Sequence, residues 1–253
     1  MREILKKLAD GKISIKEAEK LIKSFQIKEI EDLAKFDLGR EVRTGIPEVV
    51  LSIGKSPEKI AKIIKACGNK GLIITRLNES KYKKIVTKLP KNCEVRYYKE
   101  GRVMIVGKHE KVVEGHVGII TGGTADIPVA EEAKIILEEM GCKVSMVYDV
   151  GIAGIHRLFR YLRKLIKKNV QLLIVVAGME GALPSVVAGL VDLPVIAVPT
   201  SVGYGAGGKG IAALLSMLQS CVPGVVVVNI DNGFGAAAFA LKILKQINSP
   251  SSP

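Results

Sequence analysis

From residue 116 onward, two kinds of apolar run alternate along the chain. Short β-branched runs read as strands: "HVGIIT" (116–121), "KVSMVYD" (143–149), "LLIVVAG" (172–178), "PVIAVP" (194–199) and "GVVVVNI" (224–230). Stretches of helical spacing follow them at 127–140, 154–167, 183–190, 206–219 and 235–247. Strands that are apolar on both sides, each followed by a helix, predict a doubly wound parallel sheet covered on both faces. The earlier chain predicts smaller elements. "ISIKEAEKLIKSF" (13–25) sets Ile15, Ala18, Leu21 and Ile22 on one helical face. "EVVLSIG" and "GLIITR" read as strands, and Ser56-Pro57 reads as the cap and first position of a helix. The helical "ESKYKKIVTKL" and short strands near 94–97 and 102–106 complete a small α/β unit.

The expected organisation is therefore a helical segment over 1–36, a small basic α/β domain over 37–110, a larger α/β domain over 115–248 and a frayed tail over 249–253. The polar "GKHEKVVEG" marks the boundary. The longest apolar region, 169–199, is cut by Gly178, Gly181, Pro184, Asp192 and Pro194, which suits buried strands rather than a membrane span. "MREILKKLADGK" has no apolar core of signal-peptide type, so the expected setting is the cytoplasm, without membrane contact.

Composition refines this picture. With 48% hydrophobic and 25% charged residues, the chain is globular rather than disordered. The net charge of +13 is uneven: residues 1–110 hold 26 Lys and Arg against 15 Asp and Glu, while residues 111–253 hold 12 against 10. A basic half attracts anions, nucleic acid among them. At 4% aromatics, with no tryptophan and no recognition-module signature, a nucleotide-sized anion is the better expectation than DNA or RNA. Cys67, Cys93, Cys142 and Cys221 form no CxxC pair, which argues against a zinc site or a disulfide framework.

In a parallel sheet of this class, ligands bind beyond the carboxyl ends of the strands. There the chain reads "TGGTADIP", "DVGIAGIHR", "GMEGALP", "TSVGYGAGGKG" and "DNGFG". Glycine-rich loops feeding helix N-termini can hold phosphate or carboxylate oxygens on backbone N–H groups. Neither GxGxxG nor the P-loop motif is present. The candidates for binding are Gly122, Gly123, Thr124, Asp126, His156, Arg157, Gly178, Met179, Ser201, Gly203, Tyr204, Gly205 and Lys209. Each glycine also has a plain reading as a tight turn, Asp126 as a helix cap and His156 as a structural histidine. Glu180 is the one carboxylate in the apolar "VVAGMEGALPSVVAG" (175–189), with no Lys or Arg between Lys168 and Lys209. Two readings are open for it, a solvated loop or a group held in a site. Apolar enclosure would raise its pKa and suit it to accept a proton.

The segments "ITGGTADIPVAEEA", "GIAGIHRLF", "VAGMEGALPSVVAGLVDLPVIAVPTSVGYG" and "GIAALLSMLQSCVPGVVVVNIDNGFGAA" together resemble the phosphoribosylaminoimidazole carboxylase fold. They resemble most the LarB branch, pyridinium-3,5-biscarboxylic acid mononucleotide synthases of nickel-pincer cofactor biosynthesis. "DLGREVRTGIPEVVLSIGKSPEKI" looks like the N-terminal region of that branch, so the resemblance runs from about Asp37 onward. The purine enzymes of the fold carry a proton-moving histidine in a third loop like "AGGAAHLPG". Here "AGMEGALPS" puts Ala182 in that place and Glu180 two residues earlier. Gly123 and Ala125 replace the serines of their first loop, while Asp126, His156 and Arg157 are kept.

The resemblance implies carboxylation of the pyridinium ring of nicotinic acid adenine dinucleotide by CO2, with cleavage of the phosphoanhydride and release of AMP. It implies Cys221, in "LQSCVPG", as a nucleophile that adds to the ring, and Glu180 as the base that removes the ring proton. It implies a homo-oligomer, an octamer by that likeness, which would bring Cys221 of one copy to Glu180 of another. Mg²⁺ is an expected aid to phosphoanhydride cleavage, with Asp126 and Asp231 as weak candidate ligands, and no organic cofactor is expected. Arg40, Arg43 and Lys55 are candidates for an adenylate phosphate, against the plain reading of surface ion pairs. The competing readings are an aminoimidazole ribotide carboxylase or mutase, a non-enzymatic nucleotide-binding protein and a nucleic-acid binder.

Overall fold

The computed structural model describes residues 2–24, 27–30, 34–37, 40, 44–68, 71–109, 111 and 113–248. The chain divides into two compact units. One holds Met1–Tyr97 and Val103–His109, the other Tyr98–Arg102 and Glu110–Pro253.

The first unit begins with helices α1 (Arg2–Ala9) and α2 (Ile15–Ser24). Within the stretch expected to be helical, β1 (Ile27–Ile30) and β2 (Ala34–Asp37) instead pair as a two-stranded antiparallel sheet. Strand β3 (Val49–Leu51), α3 (Pro57–Cys67), β4 (Leu72–Thr75), α4 (Glu79–Val86), β5 (Val95–Tyr98) and β6 (Val103–Val106) follow. The four later strands form one mixed sheet in the order β3-β4-β6-β5. The cap of α3 is the one the sequence predicts: the Ser56 side chain accepts from the Lys59 amide, and Pro57 opens the helix. Its buried face, Ile60, Ile63 and Ile64, packs with Leu72 and Ile74 of β4.

The second unit is the expected doubly wound α/β layer. Strands β7 (His116–Thr121), β8 (Lys143–Val147), β9 (Leu172–Ala177), β10 (Val195–Pro199) and β11 (Val225–Val227) form one all-parallel sheet in the order β11-β10-β9-β7-β8. The helices between and after them are α5 (Ile127–Glu139), α6 (His156–Lys167), α7 (Leu183–Ala188), α8 (Ile211–Leu218) and α9 (Gly233–Asn248). Strands β7, β9 and β10 are buried along their whole length, which is why they read as unbroken apolar runs. One core layer joins Ile120, Leu173, Val175 and Ala197 of the sheet to Leu158, Leu162 and Leu165 of α6 and Val187 of α7.

One helix departs from expectation. The run 206–219 was expected as a single helix, but α8 begins only at Ile211. Residues 205–210 form a kinked turn in which Gly210 and Lys209 take left-handed backbone angles, φ 84° and 56°. Four glycines within "GAGGKG" give up too much backbone freedom to hold a helix. No helix among the described residues is long and apolar enough to cross a membrane.

Candidate active site

The chain enters the parallel sheet at β7, passes to β8 on one side, then crosses to β9 on the other. At such a switch point the loops after neighbouring strands run apart and leave a crevice. A pocket of about 240 Å³ lies there. Its walls come from Gly122, Gly123, Ala125 and Asp126 after β7, and from Gly151, Ile152 and Ala153 after β8. Ala177, Gly178, Met179, Glu180, Ala182 and Leu183 at and after β9, and Val202 after β10, complete it.

Close backbone approach shapes the pocket. The Met179 amide donates to the Val202 carbonyl at 2.9 Å, which locks the β9 loop to the β10 loop. A Cβ on Gly178 would stand 2.3 Å from that same carbonyl oxygen, so this position admits only glycine without a shift of backbone. Strain collects on this edge as well. Of seven non-glycine residues with positive φ among the described residues, Asp149, Met179, Lys209 and Asp231 stand in the loops after β8, β9, β10 and β11. Each costs on the order of 1–3 kcal/mol, which the surrounding bonds must offset.

Among the described residues two carboxylates line the pocket, and no lysine or arginine does. Asp126 is buried at 3% exposure, with every bond inward. One oxygen accepts from the Thr200 hydroxyl at 2.6 Å, the other from the Gly123 amide at 2.8 Å. Burial pushes its carboxyl above the ordinary carboxylate range, against the pull of the Thr200 hydroxyl and the Gly123 amide. The nearby Asp231 charge adds to the rise. Asp126 makes no side-chain bond to the α-helix it precedes, but by taking the Gly123 amide it caps the short 3-10 turn of residues 124–126. Asp231 accepts from the Ser201 amide at 2.7 Å. With both oxygens turned to these donors, Asp126 does not fit the ligand role considered for it, while Asp231 has one oxygen engaged in this way. Among the described residues no group of three or more His, Cys, Asp or Glu could hold a metal ion.

Glu180 lies on the pocket wall and is exposed. The apolar enclosure that its sequence context suggests therefore does not form within one chain. Gly122, Gly123, Asp126, Gly178 and Met179 join it in the lining. Thr124, His156, Arg157, Ser201, Gly203, Tyr204, Gly205 and Lys209 do not line it. His156 and Arg157 open α6 as expected, but both are exposed. Arg157 pairs with Asp149 at 3.0 Å instead of facing the crevice. Tyr204 is 83% exposed and Lys209 sits out on the kinked turn. In the other unit Arg40 pairs with Glu48 at 3.6 Å, and the Lys55 ammonium donates to the Leu51 carbonyl at 3.0 Å, both local contacts. Arg43 lies outside the described residues.

Cys221 is exposed in the turn between α8 and β11 and is not part of the pocket lining. The expected helix over 206–219 would span about 20 Å at 1.5 Å per residue, but α8 has 8 residues, about 12 Å. The top of that helix lies against the pocket loop, since a Cβ on Gly181 would stand 2.6 Å from the Ala213 carbonyl. Below it, the Ser185 hydroxyl of α7 donates to the Ser220 hydroxyl at 2.8 Å.

Sequence reasoning missed the apolar wall of Ile152, Ala153, Leu183 and Val202, and it missed Thr200. Their signal was position alone, at or just past strand ends. Ala182, which stands where the purine enzymes carry histidine, is among the lining residues.

Comparison with known proteins agrees with this architecture. Residues 116–250 match the family model for AIR carboxylase, and residues 27–108 match that for a LarB/PurE-like N-terminal domain. An uncharacterized protein of Methanocaldococcus jannaschii is 47% identical over 251 residues, 97% of each chain. An N5-carboxyaminoimidazole ribonucleotide mutase of Pyrococcus horikoshii is 39% identical over 134 residues, 51% of this chain and 71% of that enzyme. A phosphoribosylaminoimidazole carboxylase of Schizosaccharomyces pombe is 31% identical over 166 residues, 63% of this chain but 28% of that protein. The parallel sheet, the pocket at its switch point and the two matched domains lead to one assignment: the chain belongs to the AIR carboxylase family, with a LarB/PurE-like N-terminal domain ahead of its carboxylase domain.

Proposed function

We propose that the chain carboxylates the pyridinium ring of nicotinic acid adenine dinucleotide with CO2 and cleaves the phosphoanhydride with water. The products are pyridinium-3,5-biscarboxylic acid mononucleotide and AMP. One observation carries the reading over the purine alternative: among the described residues the pocket offers Glu180 and Asp126 and no cationic side chain, with Ala182 in the place of a proton-moving histidine. A positively charged ring finds carboxylate there and no like charge. A volume of about 240 Å³ is below the range of about 300–1,000 Å³ common for whole ligands, so it takes a ring rather than a dinucleotide.

The chemistry assigns each group a task. A pyridinium carbon is electron-poor and does not attack CO2. The Cys221 thiolate adds to the ring, a C–S bond forms, and the ring electrons become available as in an enamine. That carbon attacks CO2 and a C–C bond forms. Glu180 then takes the ring proton, the C–S bond breaks, the thiolate leaves and the ring regains aromaticity. Arg157, His156 and Lys209, all exposed around this edge, are proposed phosphate contacts, and Arg40, Arg43 and Lys55 remain proposals for the adenylate. Mg²⁺ enters this reading only on the substrate's own phosphates, where it spreads charge.

An oligomer belongs to the proposal, with an octamer as the size the resemblance suggests. Ile211, Leu215 and Leu218 stand 51%, 56% and 60% exposed as one stripe of α8, just before Cys221. Burying such a stripe against a second copy is favourable by about 25 cal/mol per Å². Leu215→Lys should lower the mass in light scattering. An unchanged mass would remove this face from the interface. The cytoplasm is the proposed setting.

The test is mass spectrometry of the purified protein with the dinucleotide, bicarbonate as a CO2 source and Mg²⁺, beside Cys221→Ser. AMP and a dicarboxylated mononucleotide, both lost in the variant, are the expected result. Dinucleotide recovered intact, with turnover of an aminoimidazole ribotide, would replace this reading by the purine one.

A further inference from the structure

The turn that carries Cys221 is held more firmly than an exposed connection needs. The Ser220 amide donates to the Met217 carbonyl at 3.3 Å, which closes the end of α8. The Ser220 hydroxyl oxygen accepts from the Val222 amide at 3.3 Å, so it bridges the backbone across Cys221. The same oxygen accepts from the Ser185 hydroxyl at 2.8 Å. On the far side, the Gly224 carbonyl accepts from the Val195 amide of β10 at 3.0 Å. The thiol is thus the exposed group at the centre of a turn fixed at both ends. Ser185 lies in the first turn of α7, two residues after Leu183 of the pocket wall.

We propose that Ser185, acting through Ser220, is a positioning residue for Cys221. The Ser185–Ser220 bond sets where the thiol stands relative to the helix that continues the pocket wall. The assignment rests on the reading of Cys221 as nucleophile. Ordering one residue's backbone costs about 1–2 kcal/mol, so an untethered turn would sample many thiol positions. Addition to a ring requires approach within a narrow geometry, and small misplacement lowers the rate. The tether acts the same way whether the thiol serves its own pocket or that of a symmetric copy, because symmetry repeats the relation.

The test uses the full-length protein and the dinucleotide assay. Losing a hydrogen bond of about 1 kcal/mol loosens the turn by roughly fivefold. Ser185→Ala is therefore expected to lower kcat about five- to tenfold, with dinucleotide affinity unchanged and amide exchange at Val222 about fivefold faster. Ser220→Ala should do the same, and the double variant should add nothing to either single one. Ser185→Thr, which keeps the hydroxyl, should restore kcat. Wild-type kcat in both alanine variants while Cys221→Ser is dead would overturn the inference and leave the nucleophile standing. Full activity of Cys221→Ser would overturn the nucleophile itself, and amide exchange in Ser185→Ala would then report on the tether alone. Additive losses in the double variant would also refute it, because they would mean two separate packing defects.

Discussion

The two edges of the parallel sheet are built on opposite rules. At the carboxyl edge, four non-glycine residues among those described hold left-handed angles, glycines let loops touch, and Glu180 is left open to solvent. At the amino edge, His116 is buried with both ring nitrogens engaged. Nδ1 lies 3.0 Å from the Lys168 carbonyl and Nε2 lies 2.9 Å from the Ser145 hydroxyl. The Lys168 ammonium also reaches that hydroxyl at 3.4 Å. The polar groups of the amino edge are satisfied inward and serve stability. At the other edge Asp126 is satisfied inward too, but strain and the exposed Glu180 are kept where a ligand can use them.

Substitutions can separate these roles. The largest effect is expected from Glu180→Gln, which keeps the shape but not the basicity. Turnover should fall at least about 100-fold while the melting temperature stays within a few degrees. Steady-state rates beside a thermal melt decide it, and a rate within tenfold of wild type would remove Glu180 as the base. Next is Gly178→Ala. Its Cβ would press on the Val202 carbonyl, so a loss of about 1–3 kcal/mol in urea unfolding should come with a loss of activity. Ser145→Ala should mirror it across the sheet. His116 would lose a partner, at about 1–2 kcal/mol, yet kcat should not change. A fall in kcat there would break the division between edges.

The smallest effect is the response to pH, and the edges should differ in sign. Burial lowers the His116 pKa from its ordinary 6.5, with the charges of Lys143 and Lys168 adding to the fall. Below 6.5 the unfolded chain takes a proton that the folded chain refuses, so stability drops as pH falls from 6.5 to the folded value. Burial raises Asp126, so folding binds its proton first. Stability from that group is fully present below 3.8 and is lost as pH rises through the folded value. Urea midpoints from pH 3.5 to 7.5, with His116→Gln and Asp126→Asn, resolve the two slopes. A His116→Gln curve that still falls between pH 6.5 and the folded value would assign the acid loss elsewhere.

Much of this architecture was legible in the sequence, because burial on both faces writes itself as an unbroken apolar run. "HVGIIT" is β7 residue for residue. The place of the pocket was legible too, since strand ends followed by glycine point to it. What the sequence hid was direction. Arg157 belongs to the same strand-to-helix connection as Gly151, yet its guanidinium turns to Asp149. That outcome depends on how α6 is rotated, which no local spacing sets. The helix before Cys221 was overdrawn because apolar spacing was weighted above the glycines of 205–210. The tether at Ser185 joins residues 35 apart in sequence, and no motif announces it.

The lining of the pocket also bears on which form of inorganic carbon reaches the ring. Bicarbonate is an anion, and it would have to enter beside Glu180 and Asp126 with no cation to receive it. Dissolved CO2 is neutral and small, and walls of Ala153, Leu183 and Val202 do not oppose it. For the proposed carboxylation, the gas rather than its hydrate is then the substrate, and the rate should follow the supply of CO2. Below pH 6 that supply is ample. Near pH 8, where bicarbonate dominates, a hydration catalyst should shorten any lag without changing the final rate.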